Sequence, residues 1–449
     1  MKTLIYGGRV LDPANRVDSL LNLLIEDGKV VWAGTGRPDA DKTIDAAGRI
    51  VSPGFIDIHM HEDPVGQDGK IQLDIFNSML RMGVTTAVGG NCGINVYDPV
   101  KYLALVDRDG ASVNVVMFAG HEYFRKAAGA EDIYAHATEA QKRAMEGAIR
   151  TALEGGCAGV SFGLRYVPGA DKDEFFRAAA CCQRTGKLIS SHVRDDADGI
   201  FDAIDEFCAA GVAFDIPVQI SHIGSMGGFG QMEKVLQQID GYRMNGLDIA
   251  MDCYPYFAFS TRIGTPTYDP GWLDRYHCDY SVLEFCEGKY KGQRATKETF
   301  DEIRRDFPQC ITVCYVMKEE DVRLAFRHPA VMLGSDGLLS EGQGHPRASG
   351  SFPRFLAEFS RNGDLSLYDA VNKMTAMPAA RLGLANKGRL NVGADADITI
   401  FDPEKIQDHA TFASPTLPPE GIDWVLIGGE VAAQNCEILK NNCGKAVRL

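Results

Sequence analysis

Hydrophobic residues in the middle of the chain occur as short β-branched runs separated by stretches of helical period. The runs are "GFIDIHMH", "TTAVGG", "VNVVMFAG", "GVSFGL", "LISSHV", "VQISHI", "DIAMDCYPY" and "VMLGSD". Each has the length of a strand. A representative intervening stretch, "TEAQKRAMEGAIRTALEGG", spaces its apolar residues as a helix does, with Thr138 as N-cap and Gly155 as stop. Strands alternating with helices imply parallel pairing. Eight of them predict a (β/α)8 barrel, a TIM-like α/β fold whose chemistry lies at the C-terminal ends of the strands. An open doubly wound sheet is the competing arrangement, and it lacks support because no GxGxxG opens a helix after the first strand.

The two ends of the chain are patterned differently. "TLIYGGRVLD", "SLLNLLIEDGKVVWAG" and "KTIDAAGRIV" read as short strands joined by tight turns at Gly7-Gly8 and Asp27-Gly28, and "ADITIFDP" and "IDWVLIGGEVAAQ" repeat the style near the C-terminus. Neither end is long enough to enclose a core of its own. The expectation is one small discontinuous β-sandwich built from residues 1–53 and 386–449, around a barrel over residues 54–385.

A length of 449 residues accommodates that arrangement. The net charge of −15, from 46 basic and 61 acidic residues, argues against a nucleic-acid or anionic-membrane surface. A small molecule is the expected partner, with homo-oligomerisation left open. The start has no signal-like apolar region and no apolar run reaches membrane-spanning length, so a cytoplasmic location is expected. In that compartment the 12 cysteines are most simply reduced thiols, and no CxxC pair suggests a zinc ribbon or redox centre. Cys181 and Cys182 read as packing residues.

The residues that end the strands change the picture. Side chains alternate across a strand, so His59 and His61 share a face, with Met60 opposite. The second strand leads into "GGNCG" with Cys92, the fifth ends at His192, the sixth at His222 and the eighth at Asp336. Singly, each has a plainer explanation: a hydrogen-bonded rim histidine, a small buried thiol, a turn aspartate. Together they place imidazole, thiolate and carboxylate at five of eight strand ends in a chain with only 10 histidines, which points to a metal site.

With "VSPGFIDIHMH" and a sandwich made from both chain ends, this pattern resembles the amidohydrolase superfamily over essentially the whole chain. Longer blocks resemble its N-acyl-D-amino-acid deacylase (D-aminoacylase) branch: "GGNCGI", "GVSFGLRYVPGA", "SHVRDD", "DCYPYFAFST", "GSDG", "GHPRASGSFPRFL", and "MTAMPAARLGL" followed by "KGRLNVGADADITIFDP". Hydantoinase- and dihydroorotase-type members bridge two metals with a carboxylated lysine at the fourth strand, and "CAGVSFGLRYVPG" contains no lysine. The resemblance implies that Cys92, His192 and His222 hold the tighter ion. His59, His61 and Asp336, sharing the thiolate, would form a second, weaker position. That donor set suits Zn²⁺, and the thiolate disfavours Mg²⁺ and Ca²⁺.

The expected reaction is hydrolysis of an N-acyl-D-amino acid by metal-activated water, with Asp336 as general base and acid. By the same resemblance Arg347 would clamp the substrate carboxylate, with Tyr254 and Ser260 as further donors. Many such deacylases carry a lysine where this chain has Gly224, so an uncharged substrate side chain is expected. Gly224, Gly227, Gly228 and Gly230 suggest a flexible loop, and the long segment 261–328 suggests a moving lid. The competing functions are a cyclic amide or imide hydrolase, dihydroorotase- or hydantoinase-like, and a non-catalytic barrel scaffold. The retained cysteine, histidines and aspartate argue against the scaffold.

Overall fold

In the computed structural model, which describes all 449 residues, each of the eight apolar runs forms a strand. They are Phe55–Asp57, Val84–Gly89, Asn114–Met117, Gly159–Gly163, Leu188–His192, Val218–Ile220, Ile249–Cys253 and Val331–Leu333. Consecutive strands pair in parallel. The third is interrupted at Phe118: its first part pairs with the second strand, and its continuation Ala119–Gly120 pairs with the fourth. Closure is made just beyond the ends of strands one and eight. The His61 N–H donates to the Gly337 carbonyl at 3.0 Å and the Asp336 N–H to the His59 carbonyl at 2.7 Å. The seam of the barrel therefore runs through the residues singled out for chemistry.

Helices connect the strands as their apolar period predicts. Glu139–Glu154 begins with a capping box in which Thr138 and Gln141 bond reciprocally, and it stops at Gly155. The sandwich is likewise made from both ends of the chain. In its larger sheet Ile398–Phe401 runs antiparallel to Ile50–Pro53, and Ile422–Ile427 continues the ladder. A four-stranded sheet from residues 3–45 faces it, with Ile5, Val10, Leu23, Ile25, Ile398 and Leu426 buried between them. The last residues leave the sandwich: Gly444 and Ala446 bridge to Ala111 and Val115 beside the third barrel strand.

Two segments at the catalytic end differ from a simple connection. Residues 259–314 contain a three-stranded antiparallel sheet of Phe259–Arg262, Ile311–Cys314 and Leu283–Phe285, with helix Lys297–Asp306 beyond it. The glycines after the sixth strand do not form the expected flexible loop. Ile223–Gly227 is a short buried helix. A Cβ on Gly224 would come within 2.7 Å of Cys253 Sγ, and one on Gly228 within 2.2 Å of the Gly224 carbonyl oxygen, so these glycines serve close packing. No helix is long and apolar enough to cross a membrane.

Phe55, at the start of the first barrel strand, is wholly buried and joins the two halves of the molecule. Its ring lies 5.8 Å from Phe352 of the last barrel helices and 5.9 Å from Phe401 of the sandwich. Phe55→Ala is expected to remove about 3–5 kcal/mol of stability through the cavity it leaves, read as a lower urea midpoint. A change below 1 kcal/mol, on the order of a surface substitution, would mean that the two halves are not coupled here.

Candidate metal centre and substrate cavity

Three of the strand-end residues lie in the left-handed backbone region: Cys92 (φ 53°), His222 (φ 34°) and Asp336 (φ 48°). For a residue with a Cβ this costs about 1–2 kcal/mol each, and surrounding bonds hold each one there. The His222 N–H donates to Asp252 Oδ1 at 2.7 Å. The Asp336 N–H is held by the closing seam. The Cys92 turn is fixed by the Gly90 N–H on Glu62 Oε2 at 2.7 Å and the Gly93 N–H on Ser161 Oγ at 3.0 Å. Gly93 itself needs φ +77° with Gly163 nitrogen 2.7 Å from where a Cβ would sit, so only glycine fits. With this backbone the three side chains come together in one cluster.

Inside, Cys92 Sγ lies 3.4 Å from both His59 Nε2 and His222 Nε2. Asp336 Oδ1 is 3.1 Å from His61 Nε2 and 3.6 Å from His59 Nε2. One donor atom from each of His59, Cys92, His222 and Asp336 falls within 4.8 Å of the others, a spacing that could hold a metal ion. His192 stands beside this group, 4.7 Å from His222 between ring centres, with both ring nitrogens buried and unpartnered. The tightest grouping thus contains His59 and Asp336 with Cys92 and His222, whereas the family resemblance grouped Cys92 and His222 with His192.

Two imidazoles are oriented from behind. His59 Nδ1 sits 3.1 Å from Asp252 Oδ1, and Ser225 Oγ is 2.9 Å from His222 Nδ1, so both rings turn Nε2 towards the sulphur. Burial opposes charge on Cys92, yet His59 and His222 outweigh it and hold the thiol well below its ordinary range. Burial likewise opposes ionisation of Asp336, but Arg347 and His222 hold its carboxyl well below the usual range. His192 moves the other way, pushed down to about 4 chiefly by burial, which leaves it a neutral lone-pair donor. A thiolate, a carboxylate and imidazole nitrogens converging on one point, with protons on His59 and His61 that a cation would displace, fit a borderline-soft divalent ion.

Above the cluster lies a pocket whose wall includes His192, His222, Tyr254, Asp336 and Arg347. The Arg347 guanidinium is 2.8 Å from Asp336 Oδ2 and stacks 4.6 Å over the Tyr254 ring, while its buried Nε has no partner. His345 orients this loop: Nδ1 accepts the Arg347 N–H at 3.0 Å and Nε2 lies 3.1 Å from the Ala258 carbonyl. Ser260 also lines the cavity, and it meets Arg347 through its carbonyl oxygen at 3.4 Å rather than its hydroxyl. Thr261, Thr267 and Tyr276 of the long insertion also line the cavity.

Two residues essential to this geometry were not singled out from the sequence. Asp252 binds the His222 backbone and faces His59, and its second oxygen accepts Gln219 Nε2 at 2.9 Å. Asp57, pushed up to about 6 by burial, accepts the His59 N–H at 3.1 Å and the Ser335 N–H at 2.9 Å. Each is the single carboxylate within its strand, Phe55–Asp57 or Ile249–Cys253, and that is the available signal, since a buried carboxylate must find partners.

Residues 42–206 and 298–433 match the amidohydrolase family. The chain is 34% identical to an N-acyl-D-glutamate deacylase of Alcaligenes xylosoxydans xylosoxydans, over 95% of this chain and 92% of that one. It is 30% identical to a D-aminoacylase of the same organism, over 99% and 97% of the two chains. Among solved structures it resembles N-acyl-D-glutamate deacylase from Bordetella bronchiseptica complexed with zinc and a phosphonate mimic of the reaction's tetrahedral intermediate. That match has a TM-score of 0.89 and 30% identity, covering 100% of this chain and 99% of the other.

Asp252→Asn preserves shape while removing the charge behind His59. It is expected to weaken retention of a divalent ion by about 10–100-fold in competition with a chelator, with cooperative unfolding retained. Wild-type retention would assign Asp252 to the scaffold alone.

Proposed function

The chain belongs to the amidohydrolase family, and from that premise we propose that it hydrolyses an N-acyl-D-amino acid to a carboxylate and a free D-amino acid. The observation that carries the reading is a buried cluster of a thiolate, histidines and Asp336 lying against a cavity that His192, His222, Asp336 and a half-partnered arginine line. We assign the ion as Zn²⁺, held by Cys92 and His222 with His59, His61, His192 and Asp336 as the remaining donors. One tight site and a second, weaker one are compatible with that donor number. A bound divalent ion supplies a water nucleophile active at neutral pH and polarises the acyl carbonyl.

The protein's own groups do the rest. Arg347 offers the unpartnered Nε and its neighbouring nitrogens to the substrate's α-carboxylate, a planar two-pronged match. Tyr254 holds the guanidinium plane from below. Arg347 is paired with Asp336, so a carboxylate that engages Arg347 weakens this pair. Asp336 then regains proton affinity and can take the proton of the attacking water and pass it to the departing nitrogen. Substrate binding and activation of the base are coupled through one arginine. The absence of a lysine from the fourth strand, where Ser161 instead supports the Cys92 turn, favours this linear-amide reading over a cyclic-amide one. The insertion bearing Tyr276 would close over the bound substrate.

The test combines elemental analysis with amine release from paired N-acetyl-D- and L-amino acids. About one zinc or more per chain and D-selective release are expected, with activity lost on chelation and restored by zinc. Turnover of hydantoin or dihydroorotate in place of every N-acyl amino acid would overturn the reading. Asp336→Asn is expected to lower kcat by about 10²–10⁴-fold while the tight ion is retained; unchanged kcat would remove Asp336 from proton transfer.

A further inference from the structure

The catalytic cavity carries information about the substrate that its metal-facing end does not. We infer that it accepts an N-acyl amino acid whose side chain is uncharged, and that Asp196 is the residue that turns an acidic side chain away. The inference rests on the deacylase reading and specifies its substrate class.

Arg347 is the only arginine or lysine on the cavity wall. An α-carboxylate occupies it, so a second carboxylate on the same substrate would be buried without a cation, a costly arrangement. No nearby group can supply one. Asp196, also on the wall and 3% exposed, accepts Arg165 Nη2 at 3.1 Å and the Tyr276 hydroxyl at 2.6 Å. Arg165 Nη2 is equally 3.1 Å from Asp195, and Arg275 stands 3.7 Å from Asp195 and 3.8 Å from Asp196. Two arginines are thus matched by two aspartates, and the aspartate is the partner that reaches the cavity. An acidic side chain meets that carboxylate, while a basic one finds its oxygens already taken.

The segment after the sixth strand cannot provide the missing charge either. The Cβ direction of Gly224 leads to Cys253 Sγ at 2.7 Å, so the position has no room for a side chain. Its neighbour Ser225, which does line the cavity, is committed to His222 Nδ1 at 2.9 Å. What the wall does offer is neutral: the Phe259 ring and the Thr267 hydroxyl, which is buried, 4% exposed and without a partner. An amide or thioether side chain suits these groups.

N-acetyl-D-glutamine and N-acetyl-D-glutamate share a shape and differ in charge, so their ratio of kcat/KM on the zinc-loaded enzyme reads the inference directly, with N-acetyl-D-methionine as a third, uncharged probe. The expected result is at least 100-fold preference for the better uncharged substrate over the glutamate derivative. Asp196→Asn should cut that preference at least tenfold, whereas Asp198→Asn, the same charge change on an exposed neighbour outside the arginine cluster, should leave it within twofold. Should Asp196→Asn not fold, Arg165→Met, which removes the nearer of its two arginines and leaves only Arg275, is expected to raise the preference. Equal or better turnover of the glutamate derivative by the wild type overturns the inference and leaves the deacylase reading intact. A preference unmoved by these variants overturns the role of Asp196, and no turnover of all three overturns the deacylase reading itself.

Discussion

Two acidic groups, the Cys92 thiol and the Asp336 carboxyl, are buried with donor atoms within 4.8 Å of each other, and both are held in their charged forms. Such a pair cannot persist in a low-dielectric interior without positive charge between or beside it. The histidines meet that requirement, and His61, pushed up to about 9 where Asp336 and Cys92 outweigh its burial, carries part of the compensating proton. A divalent ion meets it more fully, because it replaces protons that the imidazoles would otherwise have to hold. Arg347 balances the outer side of Asp336, and it is the one contact a substrate carboxylate can compete for.

The architecture follows from placing that charge at a closing seam. Strands one and eight are sewn together by backbone bonds from His61 to Gly337 and from Asp336 to His59, so the chain elements that complete the barrel also fix the donors. Left-handed backbone at Cys92, His222 and Asp336 stores strain that the surrounding backbone bonds of the parallel strands hold in place. Asp252 links the sixth and seventh strands to the first by binding the His222 backbone while facing His59. The sandwich grips the base of the first strand through Phe55 and Phe401, which gives the seam a rigid foundation.

Much of this was legible in the residues. All eight strands announce themselves as β-branched runs, and the strand-end positions of His59, His61, Cys92, His192, His222 and Asp336 follow from chain order once a barrel is assumed. Legibility failed where the outcome depends on a partner remote in sequence. That Asp57 and Asp252 hold ligands from behind is decided by strands pairing across 278 and 30 residues of chain. The glycines from 224 to 230 look like a flexible loop, but local composition cannot reveal that Cys253 Sγ lies against one of them. Ser260 was marked for its hydroxyl, and it is the backbone carbonyl that meets Arg347.

The central claim is that Cys92 is a thiolate donor to a metal at the barrel seam, and cobalt substitution tests it most directly. Co²⁺ bound through sulphur gives a thiolate-to-metal charge-transfer absorption in the near ultraviolet, which nitrogen and oxygen donors alone do not. The account predicts that band in the cobalt-loaded wild type and its disappearance in Cys92→Ser, in a protein that still folds. Cobalt bound stoichiometrically without the band, or with a band that survives Cys92→Ser, would contradict it.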